Sequence, residues 1–197
     1  MLAVNSASPY QTLRDLLDAA RAQPGALSYS TVGPTTTQHI AGEMLKRAAG
    51  VEMTYAPFPG GGPAANAVMG GHVTAVLTNL SEVAGMLESG KLRALAVTTL
   101  ERLSALKNVP TVAESGYPDY EAVAWFGIAA PAGTPKDIVD KLAEGFAAAL
   151  EDTDIRQRLI SLGLYPAYLG PAAFSAHIAQ QYTHYARVID EAKIKPE

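Results

Sequence analysis

A short strand pattern that breaks at Val32-Gly33-Pro34 and gives way to a helical pattern behind Thr35, Thr36 and Thr37 is the feature of this chain that most restricts its fold. Residues 27–30 alternate as a short strand does. Glycine and proline then break the chain, and Ile40, Met44, Leu45 and Ala48 recur at helical spacing up to Gly50, where a positive φ costs glycine least. Strand, turn and helix are thus compressed into residues 28–43. The first turn of such a helix leaves backbone N–H groups without intrahelical partners and carries the positive end of the helix dipole. A carboxylate or phosphate fits there, and a threonine that merely caps the helix explains the same spacing.

The same change of period recurs downstream. Residues 51–56 read as a strand, the loop Pro57-Phe58-Pro59-Gly60-Gly61-Gly62 follows, and residues 63–69 form a short helix closed by Gly70-Gly71. Residues 73–77 are a further strand, Thr78-Asn79-Leu80-Ser81 a turn, residues 82–88 a helix and residues 92–98 another strand. Ahead of them lie a short strand at residues 2–4 and a helix expected to start at Ser8-Pro9, with Leu13, Leu16, Leu17 and Ala20 on one face and Pro24-Gly25 as its stop. Strands that alternate with helices predict an α/β fold with a mainly parallel sheet, because parallel neighbours need a crossover. Ligands of such sheets bind beyond the carboxyl ends of the strands. The turns at residues 31–37, 57–62 and 78–81 should therefore gather at one edge. None contains Lys or Arg, which points to an anion held by amides and hydroxyls.

Beyond Thr99 the pattern changes. Residues 100–120 read as an irregular connection and residues 122–130, with the only tryptophan, Trp125, as a buried strand. Helices are expected from Thr134-Pro135, over residues 154–162 and over residues 172–192, with residues 165–169 as a further candidate strand. The sheet these helices need is incomplete in this part of the chain.

Composition removes several classes of function. The chain has 197 residues, 48% of them apolar, which suffices for a real core. A net charge of −4 with 15 Lys and Arg offers no basic field to nucleic acid. No run approaches the ~18 consecutive apolar residues of a membrane span, and the first residues lack a signal-peptide pattern. Without cysteine there is no disulfide or thiolate site. His177 and His184 share a helix face but lack a carboxylate at matching spacing, and the glycine run fits neither nucleotide-loop spacing, so neither metal nor cofactor is expected. His39 lies three residues beyond Thr36, within reach of a role as base, yet no acidic partner completes a triad.

Residues 29–39, Tyr-Ser-Thr-Val-Gly-Pro-Thr-Thr-Thr-Gln-His, followed by Ala41-Gly42-Glu43, Tyr55-Ala56-Pro57-Phe58 and Gly62-Pro63-Ala64, resemble the substrate-binding proteins of tripartite tricarboxylate transporters, the Bug-type family. The runs at residues 90–98 and 109–116, and Trp125-Phe126-Gly127 with Ala130-Pro131-Ala132-Gly133-Thr134-Pro135, continue the resemblance in order along essentially the whole chain. The resemblance implies a two-lobed type II periplasmic binding fold that closes on a small carboxylate and delivers it to a membrane permease, without chemistry. Residues 6–121 would be a nearly complete second lobe. Residues 1–5 and 122–197 would be crossover strands and C-terminal helices of a first lobe whose N-terminal part is lacking.

By the same resemblance the ligand-binding positions are Ser30, Thr31, Gly33, Thr35, Thr36, Thr37 and His39 in the first turn, Phe58, Gly60 and Gly61 in the second, Asn79 in the third, and Trp125 and Phe126. Ser30 and Thr35 stand where glycine is common in the family, and Pro34 removes an N–H from the cradle. Family members are exported, so the resemblance implies a periplasmic protein, whereas a true start at Met1 without a leader implies a cytoplasmic one. Helices lacking their sheet would expose Leu142, Phe146, Ile178 and Tyr185, at about 1.5–3 kcal/mol for each large side chain left uncovered, and a homo-oligomer is expected to bury them. Two classes stay open: a carboxylate-binding component, and a Ser/Thr-His hydrolase or transferase acting on a small anionic substrate through Thr36 or Ser30 with His39.

Overall fold

The computed structural model describes residues 1–194, which fall into two compact units. The first comprises Met1–Ala124 together with the segment from Val188 onward; the second is Trp125–Arg187. Five strands build the first unit: β1 (Leu2–Asn5), β2 (Ser28–Val32), β3 (Thr54–Phe58), β4 (Ala75–Leu77) and β5 (Leu92–Ala96). They lie side by side in the order β3-β2-β4-β1-β5. β2 runs parallel to β3 on one side and to β4 on the other, as the crossover helices α2 (Thr37–Ala49) and α3 (Gly61–Met69) demand. β1 is antiparallel to both β4 and β5, a pairing that periodicity alone does not announce.

Both faces of the sheet are covered. Leu2, Val4, Ala75, Leu77 and Leu95 point into a core shared with α1 (Leu13–Ala22) and α2; Ala3, Val76 and Leu92 point into a second core shared with α3 and α4 (Leu80–Glu88). Alternating side chains along one strand feed different layers, so a central strand buried on both faces reads as an uninterrupted apolar run.

Several sequence expectations are corrected. Helix α1 starts not at Ser8-Pro9 but after Thr12, whose hydroxyl accepts from the Asp15 amide at 3.1 Å while the Asp15 carboxylate accepts from the Thr12 amide at 2.8 Å. The preceding segment is held off helix by Arg93, whose guanidinium donates to the carbonyls of Ser6, Ser8 and Tyr10 at 2.8, 3.3 and 3.1 Å. Residues 122–130 form no strand, although the Ala122 amide donates to the Thr98 carbonyl at 2.9 Å. Trp125, Phe126 and Ile128 are exposed rather than buried. Residues 165–169 are likewise not a strand. An apolar run becomes a strand only where another edge offers a regular row of amides and carbonyls along its length. The second unit instead carries the helices α5 (Lys136–Glu151) and α6 (Thr153–Ser161) and residues 171–187 of α7 (Pro171–Glu191).

Candidate functional site

β2, β3 and β4 are adjacent and parallel, with Val32 opposite Phe58 and Ser30 opposite Val76. Their carboxyl ends therefore lie at one edge of the sheet, and the three turns leaving it bring together Gly33, Thr35, Thr36, Thr37, Phe58, Gly60, Gly61 and Asn79.

The turn into α2 is the most constrained. The Gly33 amide donates to the Phe58 carbonyl at 3.1 Å, which fastens the first turn to the second. Thr36 is the N-cap: its hydroxyl oxygen accepts from the His39 amide at 3.3 Å, and its proton goes back to the Val32 carbonyl at 2.6 Å. Thr35 lies at φ 63°, a left-handed conformation that costs a β-branched residue strain and glycine little. This is a position where the resemblance expects glycine. The first turn of α2 holds no acidic residue, and the amides of Thr37 and Gln38 have no acceptor among the described residues.

Ser30 and Thr31 are set back from this opening. Both are fully buried; the Ser30 hydroxyl is shared between the carbonyls of Ala64 and Ala75 at 3.2 Å each, so it ties β2 to α3 and β4. Thr31 hydrogen-bonds the Tyr55 hydroxyl at 3.3 Å. His39 is buried too, stacked on the Tyr55 ring with centroids 3.9 Å apart. Its Nε2 is 3.9 Å from Glu43, and among the described residues its Nδ1 has no hydrogen-bond partner. Burial pushes the imidazole below its ordinary range; Glu43 opposes that shift and Lys46 adds to it. The Glu43 carboxylate accepts from the Tyr29 hydroxyl at 2.5 Å and from Lys46 at 2.9 Å. Burial first, and then this carboxylate, raise the Tyr29 phenol far above its usual value. The imidazole thus sits among Tyr55, Glu43 and Lys46, while the Thr36 hydroxyl gives its proton to a backbone carbonyl. A Thr–His pair for nucleophilic attack is not formed.

Glu82 is the participant that sequence reasoning passed over. Its Oε2 accepts from the Thr78 hydroxyl at 2.6 Å and from the Asn79 amide at 3.1 Å, and its Oε1 accepts from the Gly61 amide at 3.2 Å. A Cβ on Gly61 would run into that carboxylate. The signal was present as Asn79-x-x-Glu82, the spacing of a capping box. Trp125 and Phe126 belong to the second unit, where the Trp125 ring meets Phe174 edge-on at 5.5 Å and His177 at 5.3 Å, and Phe126 is 79% exposed.

The profile of the family described as tripartite tricarboxylate transporter family receptor matches residues 1–194. BugT of Bordetella pertussis (strain Tohama I) is 30% identical over 197 residues, covering 99% of this chain and 60% of that protein. The UPF0065 protein in the tcbD-tcbE intergenic region of Pseudomonas sp. strain P51 is 31% identical over 195 residues, 98% of this chain and 58% of that one. Among solved structures, R. palustris Rpa4515 with adipate superposes with a TM-score of 0.89 at 34% identity, over 100% of this chain and 66% of that one. MatC (Rpa3494) from Rhodopseudomonas palustris with bound malate gives 0.82 at 28% identity, over 96% and 65%. The α/β fold is that of these solved proteins, and the chain spans about three fifths of the curated relatives named here.

Proposed function

The chain belongs to the tripartite tricarboxylate transporter receptor family, and from that premise we propose that it binds a small carboxylate for a transporter of that type and performs no chemistry on it. The observation that carries this reading is the start of α2: two amides without acceptors, no acidic side chain beside them, and the positive end of a helix dipole at the edge where three parallel strands end. The relatives solved with adipate and malate support the same ligand class. In this proposal the amides of Thr37 and Gln38 take the carboxylate, and Gly33, Thr35 and Thr36 shape the turn that presents them. Phe58, Gly60 and Asn79 line its surroundings. Ser30, Thr31 and His39 support it from beneath, and the family resemblance adds Trp125 and Phe126 to the ligand-binding positions.

The remaining parts of the reading rest on the family. The first unit acts as one lobe of the clamp and residues 125–187 belong to the other; residues 1–5, expected with that other lobe, lie instead as β1 between β4 and β5 in the sheet of the first unit. Delivery is to a membrane permease, and the compartment is the periplasm, as for the relative described as periplasmic binding protein BugD. The chain on its own associates with itself through the apolar side chains of the second unit.

Calorimetric titration with mono-, di- and tricarboxylates tests the central claim. Binding by at least one of them is expected, weakened about tenfold by Thr36→Ala, a loss of about 1.4 kcal/mol. A panel without binding, or a Thr36→Ala variant that binds as wild type does, would overturn it.

A further inference from the structure

Three helices start at the edge described above, and each brings amides that have no partner inside the helix. They are not treated alike. Glu82 stands in the first turn of α4, where one carboxylate oxygen accepts from the Thr78 hydroxyl and from the amide of the N-cap residue Asn79, and it spends its other oxygen on Gly61, the first residue of α3. One carboxylate therefore neutralises the positive ends of two helix dipoles. The absence of a side chain at Gly61 makes the approach possible, since a Cβ there would meet the carboxylate. The start of α2 has no such occupant: Thr36 caps one amide, Thr37 and Gln38 are left open, and the nearby His39 Nδ1 is buried without a partner among the described residues.

We propose that Glu82 is a resident carboxylate standing where a ligand carboxylate would otherwise bind, so that α2 is the single anion anchor at this edge and a ligand's second carboxylate is turned away from α3 and α4. This rests on the reading of α2 as the carboxylate anchor and adds a specificity-determining residue to it. The charge of Glu82 disfavours a second anionic group on its side, whereas an uncharged group there meets no such penalty. A ligand is therefore sorted by where its second charge lies as well as by how many it carries.

Backbone amide spectra of the full chain, titrated with formate, test the assignment. In the wild-type protein formate is expected to move the signals of Thr37 and Gln38 and to leave those of Gly61 and Asn79 in place. Glu82→Ala vacates the internal site, so formate should then also move Gly61 and Asn79 and restore the thermal midpoint lost with the side chain. Glu82→Gln keeps the shape without the charge and serves where Glu82→Ala does not fold; its ratio of succinate to propionate affinity should rise several-fold over wild type. A residue with a merely structural role would shift neither the set of responding amides nor that ratio. Gly61 and Asn79 responding in the wild type together with Thr37 and Gln38 would overturn the proposal. So would an unresponsive Glu82→Ala accompanied by an unchanged ratio in Glu82→Gln, with the α2 reading left standing. Silence of Thr37 and Gln38 in the wild type alongside formate rescue of Glu82→Ala would remove the α2 reading itself, and the selective role of Glu82 with it.

Discussion

Helices α1 and α5 carry apolar stripes of similar spacing and meet opposite fates. Leu13, Leu16 and Leu17 of α1 are buried against the sheet at 2% exposure or less, whereas Ile138, Leu142 and Phe146 of α5 stand 48%, 50% and 41% exposed. An amphipathic pattern specifies that a helix has a face to bury; it does not specify that a partner is present. In the first unit the sheet is that partner. In the second, Leu162, Ile178 and Tyr182 are exposed as well.

Large-to-small substitutions break the comparison most sharply. Leu16→Ala should destabilise the protein by about 2–5 kcal/mol, and Leu142→Ala should stay within about 0.5 kcal/mol, as read by urea unfolding of dilute protein. A concentration-dependent penalty at Leu142 would show that a second copy covers α5, and light scattering that finds a stable monomer at micromolar concentration would show that none does. Two helical glycines sharpen the contrast. A Cβ at Gly42 of α2 would collide with the Tyr29 ring, so Gly42→Ala should cost about 1–3 kcal/mol; at Gly145 of α5 a Cβ meets nothing, so Gly145→Ala should stabilise by about 0.5–1 kcal/mol. Thermal midpoints of the two variants should therefore move in opposite directions.

Smaller effects distinguish positions within the first unit. Thr35→Gly should gain about 1 kcal/mol by relieving the left-handed conformation, read in the same unfolding assay. The smallest expected effect concerns His39. Its imidazole has a lower pKa folded than unfolded, so the unfolded chain binds the proton more readily. The stability it contributes is complete above the unfolded value of about 6.5 and falls away as pH drops towards the folded one. His39→Gln should flatten that stretch of the stability profile, read as the urea-unfolding free energy across that pH range.

The sequence made the strand-turn-helix units legible because each carries its own local signals: the break at Val32-Gly33-Pro34, Thr36 at the N-cap, and Gly50 with φ 61° at the end of α2. What escaped it depends on distant partners. Arg93 pins carbonyls more than eighty residues away in sequence and shifts the start of α1 past Ser8-Pro9. The burial of Ser30 follows from the parallel pairing of β2 with β4, which places its hydroxyl between two backbone carbonyls. The failure of residues 122–130 as a strand is the same lesson reversed, since an apolar run does not by itself make a ladder. Glu82 lies between these cases: its cap on Asn79 is local and readable, and its bond to Gly61 is not.

The position of β1 has a kinetic consequence. Leu2 pairs with Leu77 on one side and with Ala96 on the other, so β1, which leaves the ribosome before either neighbour, must wait for both flanking strands to emerge. At about 5–20 residues per second the ribosome leaves that segment unpaired for several seconds. Closing such long loops is an entropic cost met before the contacts that reward it, and sheets of this kind fold slowly for that reason. Until β5 exists, Leu2 and Val4 are open to chaperones and to the edges of other chains, and the last strand of the sheet decides when the first one is safe.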